Sequence, residues 1–144
     1  MKVFNKRARF DYELLPERVE AGVSLLGIEA KAFRDNRIDL SQSFVKILNE
    51  EAYLINANIS AKGVQKYDST RMRKLLLHKN EILSLIIKTK QKKLQIVPTM
   101  MYNSGKRIKV KLVLGKPKRK FEKKESLKKK DIEREIQTQL KNNY

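Results

Sequence analysis

The chain has 144 residues, with 34 Lys and Arg against 16 Asp and Glu, one His and no Cys, for a formal net charge of +18. Charge of that size repels itself and opposes compaction. A polyanionic partner is the simplest reason to carry it, because each phosphate neutralised by Lys or Arg releases condensed counterions.

The lack of Cys excludes disulfides, thiolate-ligated metals and a thiol nucleophile, and the single His78 cannot build a multi-His metal site. His78 reads instead as a helix-surface residue. The length fits one domain with an appended segment. The basic start, Met1 to Arg9, is not followed by an apolar stretch. No run approaches the roughly 20 apolar residues of a membrane span. These features predict a soluble, cytoplasmic protein with no membrane association. No paired carboxylates, metal ligands or nucleophile constellation stands out, so the chain reads as a binding protein without a cofactor and not as an enzyme.

Taken in order, Phe10-Asp-Tyr-Glu-Leu-Leu alternates as a strand, and Pro16 is expected to end it. Val23 and Leu25 begin a second strand-like alternation, where Gly27 suggests a bulge or bend. Residues Glu29 to Arg34 fit a helical turn equally well. Phe44–Leu48 and Ala52–Ile59 flank Asn49-Glu-Glu as a hairpin. Asp68 can cap a helix over Arg71–Lys88, with Leu75, Leu76, Ile82, Leu83, Ile86 and Ile87 on one stripe and a possible break near His78–Asn80. Lys93–Pro98 and Arg107–Leu114 form a second strand pair, with turn chemistry at Asn103-Ser-Gly105. In the last strand Ile108, Val110 and Leu112 point one way and Arg107, Lys109 and Lys111 the other. The fold expected is mainly β (α+β): a small antiparallel barrel of the oligonucleotide-binding kind with embedded helices, or a sandwich of the same elements.

Composition divides the chain at residue 115. Residues 1–115 carry apolar patterning; residues 116–144 form a basic C-terminal tail. From Lys116 to Lys130 there are nine Lys/Arg and two Glu, a net of +7. The tail has only a thin apolar stripe of Leu127, Ile132, Ile136 and Leu140. It is expected to be disordered when free and to fold on a charged partner. Gly115-Lys116-Pro117-Lys118 lacks P-loop spacing. Phe121, an aromatic amid cations, suits base stacking or an anchor onto the barrel.

Two further basic groups stand out: Lys6, Arg7 and Arg9, and the trio Arg71, Arg73 and Lys74. At a helix start, that trio would oppose the dipole and so point to bound phosphates. Glu20 reads from pattern alone as a surface carboxylate, although a carboxylate can also accept from base amino groups.

Five blocks occur in order: Asn5–Arg9, Glu20–Gly22, Gly27–Arg34, Arg71–Ile82 and Val97–Tyr102. Together they make the chain resemble the SmpB family from Asn5 to about Arg134. The resemblance implies an oligonucleotide-binding-like barrel that binds the tRNA-like domain of tmRNA. It also implies delivery of tmRNA to stalled ribosomes in trans-translation, the tail turning helical in the empty mRNA channel. The family's tmRNA-contacting residues fall on Asn5, Glu20, Leu76 and Lys109, to which the basic groups above and Lys111 add charge. For the tail the resemblance implies contact with small-subunit rRNA near the decoding region by Lys116, Lys118, Arg119, Lys120, Phe121, Glu122, Lys123, Lys124, Lys128, Lys129 and Lys130. The tail departs from the family's Gly-Lys, aromatic, Asp-Lys-Arg pattern, with Pro117-Lys118, Phe121 and Glu122-Lys123-Lys124 there instead. Elongation factor Tu is an implied partner through tmRNA, and no DNA is expected. The competing expectation is a ribosomal-protein-like structural rRNA binder.

Overall fold

The computed structural model describes residues 1–61, 63, 66–119 and 134. Through Arg119 the described residues form, in order, β1 (Lys2–Phe4), α1 (Ala8–Asp11), β2 (Tyr12–Val23), α2 (Gly27–Arg34), β3 (Ile38–Asp39), β4 (Phe44–Leu48), β5 (Glu51–Ile55), β6 (Asn58–Ile59), β7 (Arg73–Leu76), α3 (Lys79–Lys92), β8 (Gln95–Ser104) and β9 (Arg107–Pro117).

Antiparallel pairing runs β8–β4–β5–β7–β2–β9 and returns from β9 to β8. The sheet is therefore a closed six-stranded barrel. β9 occupies one edge of β8 along its whole length. The other edge is shared by β4 at Ile96 and by β1 at Met100–Tyr102. Closure leaves few free strand edges. β3 and β6 form a separate two-stranded ladder.

The core follows from strand alternation. Val3, Ala21, Val110 and Met101 are partners across β1, β2, β9 and β8, and all four are buried. Leu54, Leu75, Val45 and Leu112 continue this interior, and Phe33 of α2 and Leu85 of α3 join the same core. Each large side chain buried this way contributes roughly 1.5–3 kcal/mol of transfer free energy. At Gly115 an added Cβ would lie 2.9 Å from the Tyr12 Cβ, so only glycine fits.

The β4–β5 hairpin forms where expected, but its second arm is Glu51–Ile55, and Asn58–Ile59, expected in that arm, pairs with β3 instead. Asn49 and Glu50 both take positive φ, 50° and 63°, as a two-residue turn between right-twisted strands requires. The last two strands also pair, but β8 runs past the expected end at Pro98 to Ser104.

Three expectations need correction. Pro16 does not end its strand: β2 runs through it, and the pairing with β9 shifts register between Leu14 and Arg18, so the proline sits in a bulge that needs no ladder donor. Gly27 does not bend a strand but opens α2, where the Leu26 N–H donates to the Glu29 carboxylate at 2.8 Å. Most consequentially, Arg71–Lys88 is not one helix. Arg73–Leu76 is a strand paired on both sides, with β5 and β2. The helix begins at Lys79, after His78, whose backbone N–H donates to Glu81 at 3.1 Å. Asp68 instead caps a turn, accepting from the Thr70 N–H and hydroxyl at 3.0 Å each. The supposed stripe splits: Leu75 and Ile82 are buried, while Leu76, Leu83 and Ile87 are exposed.

β9 continues through Lys116 and Pro117, which pair with Glu13 and Tyr12, so the sheet reaches past the composition break at 115. The expectations for Lys120, Phe121, Glu122, Lys123, Lys124, Lys128, Lys129 and Lys130 lie outside the described residues. No helix among the described residues is long and apolar enough to cross a membrane.

Candidate nucleic-acid interface

Strand register assembles most of the expected contact residues on one outer wall. In one row across the barrel, Leu76 of β7 stands opposite Gly22 of β2, Gly22 opposite Lys109 of β9, Lys109 opposite Tyr102 of β8, and Tyr102 opposite Lys2 of β1. Two residues further along, Glu20, Lys111, Met100 and Phe4 form a second row. The row between them, Ala21, Val110, Met101 and Val3, is the buried one. Pleating therefore puts both outer rows on the same face. Glu20, Leu76, Lys109 and Lys111 lie far apart in sequence, and barrel closure brings them together.

The face has a distinct texture. Leu76 is 59% exposed, an apolar surface at one end. Gly22 leaves a notch beside it, since a Cβ there would sit 3.4 Å from the Leu76 Cβ. Lys111 holds its ammonium 6.0 Å from the centre of the Tyr102 ring, on the β8 side. The Tyr102 hydroxyl makes no hydrogen bond among the described residues. Burial raises its pKa, and the nearby Glu20 carboxylate raises it further. The Glu20 carboxylate and the Lys109 and Lys111 ammonium groups give the wall an acceptor and donors as well as charge.

Asn5 lies where β1 leaves the wall. Its side-chain amide donates to the Pro98 carbonyl at 2.7 Å and its side-chain oxygen accepts the Arg7 N–H at 3.2 Å. Asn5 thus fastens the N-terminal segment to β8. Lys6 and Arg9 are exposed beyond it. Arg7 pairs with Asp11 at 3.4 Å and lies 5.1 Å from the Phe10 ring centre. Lys116 and Arg119 are exposed, and Lys118 donates its backbone N–H to the Asp11 carbonyl at 2.9 Å.

The cations of the 71–74 block behave otherwise, and their reading as phosphate holders at a helix start is corrected. No helix starts there, and the Arg73 side chain is fully buried. Its Nε donates to Glu29 at 2.8 Å, Nη1 to the Ala57 carbonyl at 2.6 Å, and Nη2 to the Ser69 carbonyl at 2.9 Å and the Tyr67 hydroxyl at 3.0 Å. Arg71 donates to the same carboxylate through Nε at 3.1 Å and through Nη2. Tyr67 donates to it at 2.8 Å. Burial alone would raise the Glu29 pKa. The hydrogen bonds from Arg71, the Leu26 N–H, Arg73 and Tyr67 outweigh it and lower the pKa from 4.5 to about 2. This ionic knot joins α2, β7 and the segment before β7. Lys74, the third member, is about half exposed and pairs with Glu51 at 3.2 Å.

Lys2, Phe4, Gly22, Met100 and Tyr102 belong to the wall and were missed by the sequence reading. Tyr102 falls beyond the expected strand Lys93–Pro98, in the stretch leading to the turn; β8 runs on to Ser104 and so carries it onto the wall.

Fold and surface define a class: small, strongly basic proteins built on a closed antiparallel barrel whose outer wall mixes cations with exposed apolar groups. The family described as SmpB protein matches residues 2–142. An SsrA-binding protein of Sulfurihydrogenibium sp. (strain YO3AOP1) is 46% identical over 140 residues, covering 95% of this chain and 91% of that one. The SsrA-binding protein of Thermosipho africanus (strain TCF52B) is 43% identical, covering 99% of each chain. A chain in a solved structure described as "tmRNA-SmpB: a journey to the center of the bacterial ribosome" superposes with a TM-score of 0.69 at 39% identity, covering 88% of this chain and 94% of that one. The chain belongs to the SmpB family.

Proposed function

We propose that this chain binds the tRNA-like domain of tmRNA through the outer wall of the barrel and delivers it to stalled ribosomes for trans-translation. The carrying observation is the convergence of Glu20, Leu76, Lys109 and Lys111 on one face by strand register. Relatives named SsrA-binding proteins, and a similar chain solved in a tmRNA and ribosome context, support the same partners. Lys109 and Lys111 neutralise phosphates, Leu76 packs on a sugar or base, and Glu20 accepts from a base amino group. The protein acts by binding, not by catalysis, and works in the cytoplasm. The tail beyond Arg119 enters the empty mRNA channel and contacts small-subunit rRNA, and elongation factor Tu is reached through the bound tmRNA.

The test separates wall from tail. β9 pairs through Pro117, so the cut belongs after Arg119. The truncated protein is expected to hold tmRNA within about twofold of the full chain's affinity and to lose peptide tagging in a reconstituted stalled-ribosome assay. Normal tagging by the truncated protein would remove the tail from the mechanism, and lost tmRNA binding would move the binding site off the wall.

A further inference from the structure

Phe4 is 60% exposed, although it lies on a strand whose neighbouring residue, Val3, is buried in the core. A single exposed apolar side chain is ordinary, so its surroundings decide what it means. Phe4 lines a groove of about 910 Å³ between the N-terminal segment and strands β2, β8 and β9. Met100, its partner in the β1–β8 ladder, lines the same groove, as do Leu15 and Pro16 of the β2 bulge. The groove is also lined by Lys6, Arg9, Arg18 and Lys111.

An accessible aromatic face among cations is the physical form of a single-strand binding platform: the ring stacks a base while the cations follow the backbone. A duplex keeps its base faces within the stack and presents only edges and phosphates. An apolar protein partner would have to bury these four cations, which costs much more than leaving them hydrated.

We propose that Phe4 stacks on an unpaired nucleotide base of the bound RNA, with Lys6, Arg9, Arg18 and Lys111 holding the adjoining phosphates. The inference rests on the tmRNA-binding reading and narrows it: the RNA presents an unstacked nucleotide at the β1 side of the wall. Lys111 belongs to both the outer row and the groove, so the two surfaces are continuous.

The chain contains no Trp, so Phe4→Trp introduces the only indole and an unambiguous fluorescence reporter. The full-length variant is titrated with a tmRNA transcript, a single-stranded oligoadenylate and a blunt RNA duplex. Quenching is expected from the transcript and the oligoadenylate at saturation, and none from the duplex. Phe4→Ala is expected to weaken transcript binding roughly tenfold, the scale of one base–aromatic stack. The slope of log affinity against log salt should stay unchanged, because no phosphate contact is lost. Phe4→Tyr should restore binding. An unchanged affinity for Phe4→Ala, or quenching by duplex equal to that by single strand, overturns the proposal. A wild-type chain that fails to bind the transcript, while Phe4→Trp is quenched by oligoadenylate, would refute the tmRNA reading and leave the stack standing. No quenching of Phe4→Trp by either the transcript or the oligoadenylate would sink the stack.

Discussion

Arg73 on β7 and Lys109 on β9 are both cations on barrel strands, one strand apart across β2. Arg73 points inward, is fully buried and gives its donors to Glu29, Tyr67 and two backbone carbonyls. Lys109 points outward in a row with Leu76, Gly22 and Tyr102. The first charge is satisfied by the protein; the second has water or a ligand as its partner. A high count of Lys and Arg is therefore not a count of RNA contacts. Pleat direction assigns each cation its work.

The largest effect should come from the buried side. Arg73→Ala leaves the Glu29 carboxylate without one of its partners in the interior, a change expected to cost about 3–5 kcal/mol of stability in urea unfolding. A loss below about 1 kcal/mol would show that the knot does not hold the fold.

The next effect is a pH dependence. Glu29 titrates at about 2 in the folded chain, against 4.5 ordinarily. A depressed carboxylate pKa stabilises the fold fully above pH 4.5 and progressively less as pH falls toward 2. The contribution is on the order of 3 kcal/mol. Wild type should lose stability across that window, and Glu29→Gln, already less stable at neutral pH, should show a much flatter acid limb in the same measurement.

The smallest of these effects belongs to the outer wall. Lys109→Ala should change folding stability by less than about 0.5 kcal/mol. It should weaken tmRNA binding by roughly 1 kcal/mol and reduce the salt slope by about one. If Lys109→Ala melts the protein while leaving the slope intact, the two regions have been assigned the wrong way round.

The contrast also explains what could be read from the sequence. The β4–β5 hairpin and the outward cations of β9 are local patterns, set by turn residues and by alternation of period two. β7 was misread because Arg, Lys and Leu are good helix formers. Its strand state comes from partners remote in sequence: β5, β2, and Glu29 at a separation of 44 residues from Arg73. Arg71 and Arg73 belong to one of the five blocks of the family resemblance, yet that block marks a fold-holding knot as much as a binding surface. From pattern alone Glu20 reads as any surface carboxylate; only the family resemblance singles it out, and closure sets it beside Lys111 and Tyr102. Phe4 was passed over for the Lys6–Arg9 cluster beside it, because nothing local shows that its strand partner lies on β8.

The most direct test is Glu20→Arg, measured for tmRNA affinity by gel shift at fixed salt and for melting temperature in parallel. Glu20 is exposed, with the Tyr102 hydroxyl as its neighbour, so the melting temperature should stay within about 2 °C of wild type. Reversing charge beside Lys111 on the wall should nevertheless weaken tmRNA binding at least tenfold, despite adding a cation to a protein that binds a polyanion. Unchanged or tighter binding at unchanged melting temperature would contradict the account, because net charge and not the arrangement of this face would then govern recognition.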